Sequence, residues 1–266
     1  MTNSSQNKSN LTQLLGFNIR NDSADSIVSE IVNVINEPTQ SAKRKWFACI
    51  NPHSYVEIKK RPELIEPFKS ADWIVPDGSG IVLAAQLSGK MITERVTGAD
   101  IFFGLMGRLN GKEKKRIFFL GSTEETLSKI KEKFEIEYPD LEFAGSHSPP
   151  YKPIFSEQDT HAMIEAVNNA DTDILWVGMT APKQESWIAD NLQHLNIDFA
   201  GAIGAVFDFY IGNVRRSPEI FQKYHLEWLP RLVQQPKRLW RRTFVSAPIF
   251  VKDVFFEKLS TRKSTS

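Results

Sequence analysis

Ile174-Leu175-Trp176-Val177-Gly178-Met179-Thr180-Ala181-Pro182-Lys183-Gln184-Glu185 opens as a continuous apolar run, breaks at a glycine, and resumes with a helix-starting proline. Two other stretches repeat the design: Ala71-Asp72-Trp73-Ile74-Val75-Pro76-Asp77-Gly78-Ser79-Gly80 and Arg116-Ile117-Phe118-Phe119-Leu120-Gly121-Ser122-Thr123-Glu124-Glu125. Apolar runs without polar alternation, each followed by a helical pattern, predict strands buried on both faces. The fold class is therefore α/β, a mostly parallel sheet with helices on both faces. Ligands of such sheets bind outside the carboxyl ends of the strands. The turns carrying Asp77 and Lys183-Gln184-Glu185 belong there, which is a layout for an enzyme site.

Composition fits one large domain or a domain with an appendage: 266 residues, 41% hydrophobic. A net charge of +1 gives no global reason to expect nucleic acid or membrane. Locally the balance differs. Between Arg215 and Arg242 eight Lys and Arg stand against Glu219 and Glu227, an excess of six positive charges. The single cysteine, Cys49, points to neither a disulfide framework nor a thiolate metal site. No run approaches the ~18 apolar residues that span a bilayer. The polar start lacks the apolar core of a signal peptide, so a cytoplasmic protein is the expectation.

Outward from these units, the spacing of Ile27, Ile31, Val32 and Ile35 predicts a helix. Trp46-Phe47-Ala48-Cys49-Ile50 reads as a strand ending at Asn51-Pro52, and Tyr55 to Phe68 as a helix interrupted at Pro62. Helices are expected at Ile101–Leu109, Thr123–Phe134, His161–Val167 and Trp187–Leu195. A short strand is expected at Phe143-Ala144-Gly145, and a glycine-interrupted strand region at Phe199–Asp208. The arrangement is Rossmann-like. Residues 1–12 read as disordered, 13–212 as the catalytic α/β domain, 213–259 as a C-terminal helical appendage, and 260–266 as a disordered tail. In the appendage, Phe250, Val251, Val254, Phe255 and Leu259 fall roughly on one helical face.

Asp77 has two readings: a carboxylate at a strand end, or the N-cap of a helix beginning near Ile81. Asn51 and Cys49 read equally as turn residue and buried small hydrophobe. Gln184 either points its amide into a site or sits on a first helical turn. Asp171-Thr172-Asp173 spells a string that many sugar-nucleotide transferases use for a divalent metal, but it precedes its strand and so reads as a solvated turn. No other metal-ligand spacing is present, and neither is a glycine-rich phosphate loop. The tail arginines match phosphate geometry, with a solvated basic face as the plain alternative. Trp228, Leu232, Leu239 and Trp240, interleaved with them, imply docking on the protein body, a partner or a lipid interface.

Six ordered blocks then carry a resemblance: Ile50-Asn51-Pro52-His53; Pro76-Asp77-Gly78; Glu94-Arg95-Val96-Thr97-Gly98-Ala99-Asp100; Gly178 through Glu185; Gly204-Ala205-Val206-Phe207-Asp208-Phe209; and Leu226-Glu227-Trp228-Leu229-Pro230-Arg231-Leu232 with Pro236-Lys237-Arg238. From about Leu14 to Phe244 the chain resembles the WecG/TagA/CpsF glycosyltransferases, glycosyltransferase family 26. The resemblance implies an inverting, metal-independent, cofactor-free transfer of a sugar, N-acetylmannosamine-type or glucose. The donor would be a UDP-sugar, and the acceptor a sugar on a polyprenyl diphosphate in cell-envelope or exopolysaccharide synthesis. It implies Asp77 as catalytic base and Cys49, Asn51, Arg95, Asp100, Gln184 and Glu185 as substrate contacts. Arg231, Arg238 and Arg241 or Arg242 become ligands of the donor diphosphate.

The chain departs from the family where Cys49 replaces a common Thr and Pro76 a common Ala, both bearing on the choice of donor. The implied location is the inner face of the cytoplasmic membrane, peripherally bound, with no nucleic acid partner and with a homo-oligomer left open. Two rival readings are an epimerase-type nucleotide-sugar enzyme, disfavoured by the missing dinucleotide fingerprint, and a non-catalytic UDP-sugar or membrane-surface binding module.

Overall fold

A computed structural model of the chain describes residues 10–36, 44–92, 94–112, 114–214, 221, 229, 232 and 236–263, the side chains of 237–239 and 260–263 excepted. The centre is a six-stranded, all-parallel sheet built from β3 (Lys45–Ile50), β4 (Trp73–Pro76), β5 (Arg116–Leu120), β6 (Glu142–His147), β7 (Ile174–Val177) and β8 (Phe199–Ala202). Their order across the sheet is β4-β3-β8-β7-β5-β6. The α/β class and the parallel pairing are as expected from the unbroken apolar runs. Every residue of β4, β7 and β8 is buried, which only helices on both faces achieve.

Alternate strand residues feed two separate cores. Trp46, Ala48, Ile50, Leu175, Val177, Ala200 and Ala202 face one side. There they meet α2 (Pro52–Lys59), α3 (Ile65–Lys69), α4 (Ser79–Leu87), α7 (Glu157–Asn169) and α8 (Lys183–Asn191). Phe47, Val75, Phe119, Trp176 and Phe199 face the other side, against α1 (Ala24–Asn36), α5 (Gly98–Leu109), α6 (Glu124–Glu137) and α9 (Val206–Tyr210). Two contacts at the sheet centre tolerate only glycine. A Cβ on Gly201 would lie 2.2 Å from the Trp176 ring, and one on Gly178 2.3 Å from Phe207.

An antiparallel hairpin, β1 (Leu11–Leu14) and β2 (Phe17–Arg20), packs beside β4 at the sheet edge. It begins inside the segment read as disordered. Its turn residues, Leu15 and Gly16, both have positive φ, the backbone of a tight hairpin turn. Alternate burial of Leu14, Phe17 and Ile19 supplies the driving force. The Phe199–Asp208 region also differs from expectation. The strand stops at Ala202, Gly204 turns the chain at φ +54°, and α9 follows because Phe207 and Tyr210 bury at helical spacing.

The C-terminal part comprises α10 (Pro236–Arg241), a π-helical turn (Arg242–Ser246) and α11 (Ala247–Lys263), so helix extends past the expected end at 259. Phe250 and Val254 bury into the first core, and Phe250 meets Tyr55 of α2 edge to face. Asp253 accepts from Tyr55 and pairs with Lys59, while Glu257 accepts from the Leu15 amide and pairs with Lys90. Val251, Phe255 and Leu259 do not share that face and remain exposed. The reason is geometric: residues one apart on a helix are rotated by about 100°, and α2 covers only a narrow stripe.

Gly201→Ala is expected to lower stability by about 1–3 kcal/mol through overpacking against Trp176, measured by urea denaturation. The double variant with Trp176→Phe should recover part of that loss.

Candidate active site

Neighbouring strands β3 and β8 send their chains to opposite faces, β3 into α2 and β8 into α9. A crevice therefore opens between them at the carboxyl edge. Ile50 lies in register with Pro76, and the Asp77 amide donates to the Ile50 carbonyl at 2.8 Å, so Asn51 and Asp77 follow on adjacent strands. By strand alternation both share the face of Cys49 and Val75. Gly80 permits this proximity, since a Cβ there would sit 2.5 Å from Pro52 Cγ. The cap position of α4 falls on Gly78, at φ +102°, and Asp77 stands one residue outside it. Asp77 is thus a partly exposed carboxylate at a strand end and not the N-cap residue.

Asn51 caps α2. Its Oδ1 accepts from the His53 and Ser54 amides, and the Ser54 hydroxyl closes the capping box. This use occupies the Asn51 Oδ1. The Val96 amide donates to the Pro76 carbonyl, which brings partly exposed Arg95 to the end of β4. Asp100 completes a second capping box, with Oδ2 accepting from the Thr97 amide and hydroxyl at the start of α5. A Cβ on Gly98 would lie 3.4 Å from Cys49 Sγ, so α5 begins directly against the thiol. Burial, then Asp77, Glu185 and Asp100, push the Cys49 thiol well above its usual range, against a backbone hydrogen bond from Gly98. Cys49 is consequently a neutral, weakly polar wall.

The Lys183-Gln184-Glu185 cluster lies deeper than the sequence suggests. Gln184 is only 3% exposed. Its Oε1 accepts from the Met179 and Gly204 amides at 3.2 and 3.0 Å, stapling the β7 exit loop to the β8 exit loop. Its Nε2 donates to Glu185 Oε1 at 2.9 Å. Glu185 is 2% exposed, and its Oε2 is buried without a hydrogen-bond partner. Burial pushes this carboxyl up to about 7. Lys183 donates to the Lys152 carbonyl and lies over the Phe155 ring, clamping a neighbouring loop.

Of the tail arginines, Arg231 and the Arg238 side chain lie outside the described residues. Arg241 is exposed and Arg242 partly so, and both act on His53, the second residue of α2. The basic turn therefore lies near the first turn of α2, the helix that Asn51 caps. His53 and Ser246, which bond to each other, were not singled out from the sequence; the only available signal was the place of His53 within Asn51-Pro52-His53. Asp171 and Asp173 lie at the opposite, amino edge of the sheet, held by Arg116. Among the described residues no group of three His, Cys, Asp or Glu could hold a metal. Asp77 and Asn51 thus bring a carboxylate and a side-chain amide to adjacent strand ends.

A family model described as Glycosyl transferase WecG/TagA/CpsF family matches residues 12–264. The chain is 30% identical over 243 residues to an N-acetylglucosaminyldiphosphoundecaprenol N-acetyl-beta-D-mannosaminyltransferase of Bacillus spizizenii (strain ATCC 23059 / NRRL B-14472 / W23), covering 90% of this chain and 91% of that protein. It is also 30% identical over 254 residues to the protein of the same name from Bacillus subtilis (strain 168), covering 94% and 88%.

The folded protein holds the Glu185 proton more tightly than the unfolded chain does. Stability should therefore decline as pH rises from the ordinary carboxyl range toward 7, and the loss should be complete above it. Glu185→Gln keeps an acceptor for Gln184 and removes the ionisation. Its stability relative to the native chain is expected to rise by up to about 3 kcal/mol between acidic and mildly alkaline pH, followed by urea denaturation. A difference constant with pH would show that the carboxyl is not held neutral.

Proposed function

The chain belongs to the WecG/TagA/CpsF glycosyltransferase family, and from that premise we propose that it moves a hexosyl group from a UDP-sugar to a sugar carried on a polyprenyl diphosphate. The transferred group is of the N-acetylmannosamine type or glucose, and the transfer is inverting and metal-independent. What carries the reading is the juxtaposition of Asp77 with Asn51 at the switch-point crevice, with the Arg241–Arg242 turn at its rim. The relatives' names, which specify an N-acetylmannosaminyl group and a diphosphoundecaprenol acceptor, support the substrate classes.

In this scheme Asp77 takes the proton of the acceptor hydroxyl as its oxygen attacks the anomeric carbon, while the bond from that carbon to the diphosphate breaks on the opposite face. The hydroxyl oxygen becomes the new glycosidic oxygen, the proton ends on Asp77, and UDP departs with the bonding electrons. The charge growing on UDP is met by guanidinium groups and the Asn51 amide, preorganised donors in place of a metal. Glu185, Gln184 and Cys49 shape the floor of the crevice, the first two by fixing its loops.

The acceptor lipid places the reaction at a membrane. No described helix is long and apolar enough to cross one. Trp240, Phe244, Val251, Phe255 and Phe256 are each more than half exposed, with Lys252 over the Phe256 ring. This apolar and basic surface suits peripheral attachment to an anionic lipid face beside the crevice.

Asp77→Asn is expected to preserve UDP affinity and lower turnover by roughly 10²–10⁴, measured with a UDP-sugar and a lipid-diphosphate-sugar acceptor. Near-normal turnover in the folded variant would sink the base assignment. Transfer should also survive EDTA. Loss on chelation, restored by Mg²⁺ or Mn²⁺, would overturn the metal-independent scheme.

A further inference from the structure

His53 sits where three features meet: the Asn51 cap, the first turn of α2 and the docked C-terminal segment. Its Nδ1 lies 2.9 Å from Ser246 Oγ, and Ser246, the last residue of the π-helical turn, is 2% exposed. The groups acting on the ring are Arg242 and Arg241 from the tail and Lys60 and Glu57 from the end of α2. Three cations thus oppose one carboxylate. Burial, Arg242, Lys60 and Arg241 together hold the imidazole down to about 4, against Glu57. The ring is neutral at physiological pH. When the Ser246 hydroxyl donates to Nδ1, the one N–H of the neutral ring is on Nε2. Among the described residues Nε2 has no hydrogen-bond partner, and His53 is partly exposed.

We propose that His53 is a contact for the donor diphosphate, its Nε2–H oriented by Ser246 to donate to a phosphate oxygen alongside Arg241 and Arg242. The assignment rests on the glycosyl-transfer reading above and adds a residue to it. The local excess of positive charge that disfavours a second proton on the ring is the same excess that attracts a phosphate. An entering diphosphate offsets Arg241 and Arg242, so the proton affinity of His53 rises in the complex and binding takes up protons in mildly acidic solution. Ser246 serves both states, as donor to the neutral ring and acceptor from the Nδ1–H of the imidazolium. Because Ser246 belongs to the C-terminal segment, docking of that segment on α2 sets the tautomer that the donor meets.

The test is calorimetric titration of UDP into the full chain and its His53→Ala, His53→Gln and Ser246→Ala variants, near neutral and mildly acidic pH, in buffers of different ionisation heat. His53→Ala should weaken UDP binding by on the order of tenfold, as expected for a hydrogen bond to a charged group. His53→Gln, which places an amide N–H near the Nε2 position, should recover most of the affinity at neutral pH. Ser246→Ala should cost a few-fold. Proton uptake by the native chain in mild acid should exceed that of His53→Gln, whose value supplies the contribution of UDP itself. Native-like UDP affinity in His53→Ala, or equal uptake in the native chain and His53→Gln, overturns the His53 assignment alone. Failure of the native chain to bind UDP overturns the transfer reading, and this assignment with it.

Discussion

Strands covered on both faces, as β4, β7 and β8 are, have no place for a charged side chain, and this constraint organises the molecule. Each residue of β4, β7 and β8 is buried, so polar chemistry is displaced to the first residues beyond the strand ends. Asn51 and Asp77 are such residues. The crevice exists because β3 and β8 are neighbours whose chains leave toward opposite faces. Strand order and burial thereby decide where the chemistry can be.

Small residues then set how closely the exit loops approach. Gly80 lets α4 start against Pro52, and Gly178 leaves room for the Phe207 ring. Gln184 joins the β7 and β8 loops with two backbone hydrogen bonds, and Glu185 backs it with a buried carboxyl whose proton affinity burial raises. When protonated the carboxyl avoids most of the penalty of a buried charge, yet its Oε2 has no hydrogen-bond partner. Rigidity at the crevice floor is obtained at some expense in stability, a common property of sites that must hold their geometry.

The C-terminal segment is apolar on two sides. Phe250, Val254 and Asp253 fasten it to α2, Glu257 ties it to the β1–β2 turn and to Lys90 beyond α4, and Val251, Phe255 and Phe256 remain outward. One helix therefore positions the basic turn against His53 and presents an apolar surface to its surroundings. Attachment of the segment and the electrostatics around His53 are coupled, since the docked segment brings Ser246, Arg241 and Arg242 to that ring.

Much was legible in the residues themselves. Unbroken apolar runs ending in glycine turns require a parallel sheet, and that places Asp77 and Asn51 at a carboxyl edge, because strand burial is a local property of sequence. Asp171 and Asp173 read as remote on the same ground, since they precede their strand. The hairpin at Leu11–Arg20 was less legible: four-residue strands carry little periodic signal, and a Leu15 with positive φ announces no turn. Whether Asp77 or Gly78 caps α4, whether Gln184 faces a ligand or staples two loops, and which side of α11 is buried depend on contacts between distant segments. So does the environment of His53, whose low basicity comes from burial and from arginines almost two hundred residues away, and whose Nδ1 faces Ser246. Local pattern determined the sheet and its edge; only packing decided which polar groups at that edge are consumed by structure and which remain for chemistry.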